Sequence, residues 1–232
     1  MKRWICVIAL CAFLGTPVMA DLSWNYNSVD GDGSSAPSLT STYSYLPGFQ
    51  VDTFSGSSRP GWSYSGTNWA IFTGDAFVDG KQVASAPYNA ETTTSGKEDT
   101  PYFSVPKVAT QDPKSTIVNF GGGSYYYLGL HWGSMDDYNK IYFMSGGSFT
   151  GDVITGADVL RDGLTYLGDQ ENWYSNAYVN IFTDTAFDAI KIESTQYAFE
   201  LDNLAVAVPV PAAVLLGFLG LSAAGIKLRK FA

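Results

Sequence analysis

Four small groups of residues have the types and spacing to do chemistry. His131 is the single histidine, and Ser134 lies just after it. A serine beside a histidine can seed nucleophilic catalysis, the imidazole taking the hydroxyl proton. No G-x-S-x-G turn exists to expose such a serine, and one histidine alone does not build a His-based zinc site. The plainer reading of His131 is a polar strand-face residue in line with Tyr125 and Tyr127. Glu200 and Asp202 alternate around Leu201, which puts two carboxylates on one strand face. Glycoside hydrolysis uses such pairs as acid and nucleophile. Leu204 stands where a third carboxylate would extend the ladder.

Asp30 and Asp32, flanked by glycines, and the pair Asp202 and Asn203 offer oxygens to Ca²⁺. The two clusters sit near opposite ends of the central region, where a structural Ca²⁺ would tie first and last strands together. The Asp30 loop lacks the twelve-residue Ca²⁺ pattern, with Ser41 in place of a bidentate Glu. Two solvated acidic turns are the plain alternative. Trp173 and Tyr174 lie in the polar stretch Gly168–Asn176, where an exposed ring can stack on a sugar face. The other aromatics, Trp132 among them, fit a core.

Strands must position these groups. Tyr125–Trp132 alternates, with Tyr126, Leu128, Leu130 and Trp132 on one face and Tyr125, Tyr127, Gly129 and His131 on the other. In Ala189–Ser194, Ile190 and Ile192 face opposite to Lys191 and Glu193, the pattern of a half-buried antiparallel strand. In Tyr197–Val206 the apolar positions change parity, from Phe199 and Leu201 to Leu204 and Val206. That flip predicts a β-bulge at Asp202-Asn203. Further strands are predicted at Gln50–Phe54, Trp62–Tyr64, Trp69–Phe72, Ala76–Val78, Ser115–Phe120, Asn139–Met144 and Ala177–Phe182. Gly146-Gly147 marks a turn. Asp21–Tyr45 reads as a polar lead-in. Lys81–Lys114, with its four prolines, reads as long loops around one extended piece at Tyr102–Val105. No stretch of the central region has long helical periodicity. About ten short strands in one domain predict an all-β antiparallel sandwich of jelly-roll type.

Composition narrows the function. All 22 acidic residues and only eight of the 13 basic ones lie in residues 21–207, which leaves that region near −14. Nucleic-acid binding is excluded at that charge. Both cysteines, Cys6 and Cys11, lie in the first 20 residues, so a cysteine nucleophile or disulfide in the remainder is excluded.

The two ends carry targeting features. Residues 1–20 have a basic start, an apolar stretch and a Val18-Met19-Ala20 end, the form of a secretory signal peptide cut before Asp21. Residues 208–232 read Val208-Pro209-Val210-Pro211-Ala212, then an apolar run, then Lys227, Arg229 and Lys230. Counted from Ala205, the uncharged run is 22 residues, enough for a membrane helix with a cytoplasmic C-terminus. The two prolines favour an extended strip ahead of it, a shape that a processing enzyme can grip.

This tail resembles the VPxPA-type (VPLPA-CTERM) sorting signal, a variant of the PEP-CTERM class. The matching residues are Val208, Pro209, Pro211 and Ala212, with Val210 at the variable position. The segments Thr100–Pro106, Leu128–Asp136, Gly168–Gln170, Tyr178–Asn180 and Phe187–Asn203 are also similar to the core of PEP-CTERM surface proteins. The resemblance implies a membrane-embedded exosortase-type transpeptidase as partner and cleavage near Pro209 to Ala212. It further implies transient residence in the inner membrane, then delivery to the cell surface or a biofilm exopolysaccharide matrix. It supplies no ligand and no catalytic residue. The expectation is therefore three regions: signal peptide 1–20, sandwich 21–207 and sorting segment 208–232. The function expected is that of a secreted, non-enzymatic surface or matrix protein with carbohydrate contact. The alternatives are a glycosidase-like enzyme acting on polysaccharide and a self-assembling coat component.

Overall fold

The computed structural model describes residues 22–26, 40–55, 60–78, 81–84, 100–108, 110, 112–160, 167–170 and 174–208. The segments 1–20 and 209–232, with Asp30, Asp32, Trp173, Pro209, Val210, Pro211 and Ala212, lie outside the described residues. Among the described residues no helix is long and apolar enough to cross a membrane.

Two antiparallel sheets form the body of the described residues. The first orders β1 (Ser23–Tyr26), β12 (Ala177–Phe187), β9 (Tyr125–Gly133), β14 (Phe199–Ala207), β7 (Pro101–Val105) and β4 (Ala70–Thr73), with β2 (Gln50–Asp52) also on β14. The second orders β11 (Ser148–Thr155), β10 (Asn139–Ser145), β13 (Ala189–Ser194), β8 (Ser115–Asn119) and β3 (Ser63–Tyr64). A separate hairpin joins β5 (Ala76–Val78) to β6 (Lys81–Ala84). From β7 to β10 the chain changes sheet at every strand, and it does so again from β11 to β14.

One apolar core fills the space between the sheets. Leu130, Val179 and Leu201 from the first sheet meet Ile141, Phe143 and Ile192 from the second. Trp132 lies flat on Phe199, ring centroids 4.5 Å apart, and is fully buried as its alternation required. Ile190 and Ile192 point into this core while Lys191 and Glu193 pair on the open face. The turn at Gly146-Gly147 carries positive φ at both residues, the geometry that lets a two-residue loop join twisted strands.

The first sheet differs from a half-wetted one: its outer face is buried as well. β9 and β14 are central strands. Tyr127, Ala205 and Ala207 on their outer side are covered by Tyr43, Leu46 and Phe49. Tyr102 is likewise covered by Phe72 and Ala84. Three strands escape the sequence pattern. β1 is only four residues long, in a stretch read as a polar lead-in. β6 lies where long loops were expected, which corrects that reading of Lys81–Lys114. β11 opens next to a turn, and Gly151 at φ +103° interrupts its ladder with β10. One helical turn, α1 (Gly156–Val159), is capped by Thr155 and Asp158.

Candidate polar cleft at the end of the central strands

β9 and β14 run antiparallel with Gly133 opposite Glu200. Where β9 ends, the chain turns at Ser134, whose φ of +38° is rare for a residue with a Cβ. Neighbours hold the turn. The Ser134 N–H donates to Asn176 Oδ1 at 2.8 Å, and Asn176 Nδ2 donates to the Asp169 carbonyl at 2.8 Å. Met135 N–H donates to the Ser175 carbonyl, and Gly168 N–H donates to the Met135 carbonyl. Segments 134–139, 167–170 and 174–176 are thereby stitched together. Two glycines make room for Asp136. A side chain on Gly156 would strike the Asp136 backbone, and one on Gly168 would strike its carboxylate.

Segments 134–138 and 167–170, the approach to and start of β14 at 197–200, and Gln82 and Ala84 of β6 line a cleft of about 380 Å³. Ser134, Asp136, Tyr138, Gln170, Tyr197 and Glu200 carry its chemistry. Glu200 is 2% exposed, and its Oε2 accepts from the Ser134 hydroxyl at 2.9 Å. The Tyr138 hydroxyl lies within hydrogen-bonding distance of both Asp136 Oδ2 and the Tyr197 carbonyl. Burial pushes the Asp136 carboxyl up to about 6; the Tyr138 hydrogen bond pulls it down and the Asp137 charge adds to the rise. The Tyr138 hydroxyl is raised far above its ordinary value, by burial first and then by Asp136 and Glu200. Tyr197 leaves an exposed ring at the rim.

The residues singled out by sequence divide. Ser134 and Glu200 come together in the cleft. His131 does not join them as a base: it is fully buried on the outer face of β9, in register with Tyr178 on one side and Asp202 on the other. The Ser134 hydroxyl donates to Glu200 instead. Glu200 and Asp202 share a strand face, yet Asp202 is no part of the cleft lining.

Asp202 and Asn203 form the bulge that the parity flip predicted, with Asn203 at φ +49° and the register breaking before Ala205. Asp202 Oδ1 accepts the Asn203 N–H at 2.6 Å, and Oδ2 accepts from Thr100 Oγ1 at 3.3 Å. The Asn203 carbonyl accepts from the Tyr178 hydroxyl at 3.1 Å. These oxygens brace the bulge, and the two residues alone do not make a Ca²⁺ cage. Among the described residues no group of three or more histidine, cysteine or acidic side chains is placed to hold a metal. Tyr174 sits half-buried in the turn before β12. Val208 donates its N–H to the Pro47 carbonyl at 2.9 Å, directly past the end of β14.

Asp136, Tyr138, Gln170 and Tyr197 are the site residues that sequence reasoning missed. Asp136 closes one of the segments carrying the surface-protein resemblance, and Gly168–Gln170 and Glu200 fall in two others. The convergence of those segments was the available signal. Comparisons with protein-family models, with curated proteins and with solved structures find no match to this chain.

Proposed function

We propose that this is an exported, non-enzymatic surface or matrix protein whose sandwich contacts saccharide through the cleft at Glu200. The observation that carries the reading is the cleft's composition. Small-molecule pockets are mostly apolar. This one is lined by carboxylate, amide and hydroxyl groups, with the Tyr197 ring at the rim. Polyhydroxylated ligands need that mixture: planar polar groups to pair with vicinal hydroxyls and a ring for the apolar sugar face. A glycan array probed with the full chain tests it. Binding that weakens in Glu200→Gln supports the reading, and signal no higher than background overturns it.

Export through the signal peptide at residues 1–20, and sorting at residues 208–232 by an exosortase-type transpeptidase, belong to the same proposal. So does delivery to the surface or matrix after transient membrane residence. The repeated change of sheet along the chain supports connectivity of jelly-roll type. A structural Ca²⁺ remains part of the proposal only with Asp30 and Asp32 supplying oxygens beyond those of the bulge.

A second reading, hydrolysis of a glycan, is favoured by one feature. Asp136, raised to about 6, shares the cleft with a second carboxyl, Glu200, and a raised carboxyl beside another is the arrangement from which acid and base roles are built. Binding without turnover is the first choice because both carboxylates already have hydroxyl partners, Ser134 and Tyr138. Release of reducing ends by the wild type, abolished in Glu200→Gln and Asp136→Asn, would reverse that order.

A further inference from the structure

The charge of the cleft goes beyond the question of whether it holds a sugar. Its ionisable lining consists of two carboxylates, Asp136 and Glu200, and two phenols, Tyr138 and Tyr197. The other polar side chains there, Gln82, Gln170 and Ser134, are neutral. No lysine, arginine or histidine is among the lining residues described. Two further acids flank the lining in the chain. Asp137 adjoins Asp136 in the chain, and Asp169 lies between Gly168 and Gln170 on the opposite segment. The nearest basic residues in sequence are Lys81, next to Gln82 on β6, and Lys140 on β10; neither is among the lining residues described.

We infer that, if the cleft binds saccharide as proposed above, it selects sugars bearing a protonated amine over N-acetylated and acidic ones, the ammonium facing Glu200 and Asp136. An ammonium has three donors and no acceptor, and carboxylates are acceptors only. Such bonds are charge-assisted and stronger than neutral ones. A uronate would bring a third negative charge into a partly dry cleft, where charges a few ångströms apart interact far more strongly than in water. N-acetylation removes the positive charge and adds bulk.

The test compares equal-length probes by titration calorimetry on the full chain: glucosamine hexamer, N-acetylglucosamine hexamer, galacturonate hexamer and hexalysine. The expected result is glucosamine hexamer binding about tenfold or more tighter than its acetylated form, with no binding of galacturonate. Hexalysine controls for general attraction to an acidic protein and should bind more weakly than glucosamine hexamer. Asp136→Asn, which keeps the shape and the Tyr138 acceptor, should shrink the preference. Equal or tighter binding of the acetylated hexamer would overturn the amine inference and leave the saccharide reading standing. Hexalysine matching glucosamine hexamer, with Asp136→Asn without effect, would also overturn it. Failure of all three sugar hexamers to bind would overturn both.

Discussion

Ser134 reaches Glu200 Oε2 at 2.9 Å from a backbone held at φ +38°. The bond and the strained turn come together: the turn that ends β9 aims the hydroxyl at the carboxylate. Ser134→Ala keeps the strain and removes a hydrogen bond to a buried carboxylate, a loss of about 1.5–3 kcal/mol. Ser134→Gly loses the same bond but relieves a left-handed conformation that costs a side-chain residue about 1–2 kcal/mol. Glycine should therefore be the milder change, the reverse of the usual order. Urea midpoints of the two full-length variants decide it; alanine proving milder would mean that the turn is not strained.

Asp136 makes stability depend on pH in a definite direction. Its folded-state value of about 6 lies above the ordinary 3.8. Between those values the folded chain binds the proton more tightly than the unfolded chain does. This contribution to stability is fully present below the ordinary value and is lost as pH rises through about 6. Asp136→Asn removes the titration. The stability of the wild type minus that of the variant should fall by roughly 1–3 kcal/mol as pH rises from about 4 to about 6.5, then level off. Urea unfolding at four pH values checks this, and a constant difference would mean that Asp136 titrates as an exposed carboxyl does.

Strand parity carried much of the fold. Ile190 and Ile192 against Lys191 and Glu193 marked β13, and the change from Leu201 to Leu204 located the bulge at Asn203. Both signals are local, readable from neighbouring residues. The cleft is not local. Asp136 becomes a site residue only because Gly156 and Gly168, far along the chain, admit it. Glu200 and Asp202 showed how far alternation reaches. It put them on one face, but only cross-strand neighbours decide that the first lines a cleft and the second braces a bulge. His131 was singled out for its rarity, yet its place in the outer layer depends on β12 and β14 both flanking β9.

Gly129 has no room for a side chain. The hydroxyls of Tyr127 and Tyr178 close over it, so a Cβ there would collide with both. Tyr127 also donates to Asn180 Oδ1 at 2.8 Å and meets Ser41, and burial helps push its hydroxyl up to about 12. Gly129→Ala must displace the phenols and should cost about 1–3 kcal/mol. Tyr127→Phe should cost about 1–2 kcal/mol through the lost hydrogen bonds. In the double variant one colliding oxygen is gone, so the combined loss should fall short of the two single losses added. Thermal melts of the three variants measure that coupling; strict additivity would show that the phenols do not govern Gly129.

The sorting proposal meets the fold at Val208. The last strand ends at Ala207, and the Val208 N–H is held by the Pro47 carbonyl. The proline motif therefore begins at the border of the sandwich, with no spacer between. On that proposal, a processing enzyme that grips Val208 to Ala212 must work against the folded domain, and the sequence bias of Pro209 and Pro211 toward extended backbone favours such a grip. Intact mass of the protein recovered from its native cells should show a C-terminus between Val208 and Ala212. Replacing Pro209 and Pro211 by alanine should shift most of the protein to the form that retains Phe231-Ala232. A wild-type mass retaining those two residues would overturn release to the matrix and leave a permanent membrane anchor. In that case, a sandwich pinned by Pro47 would stand directly on the membrane, and its ligands would have to be sought there.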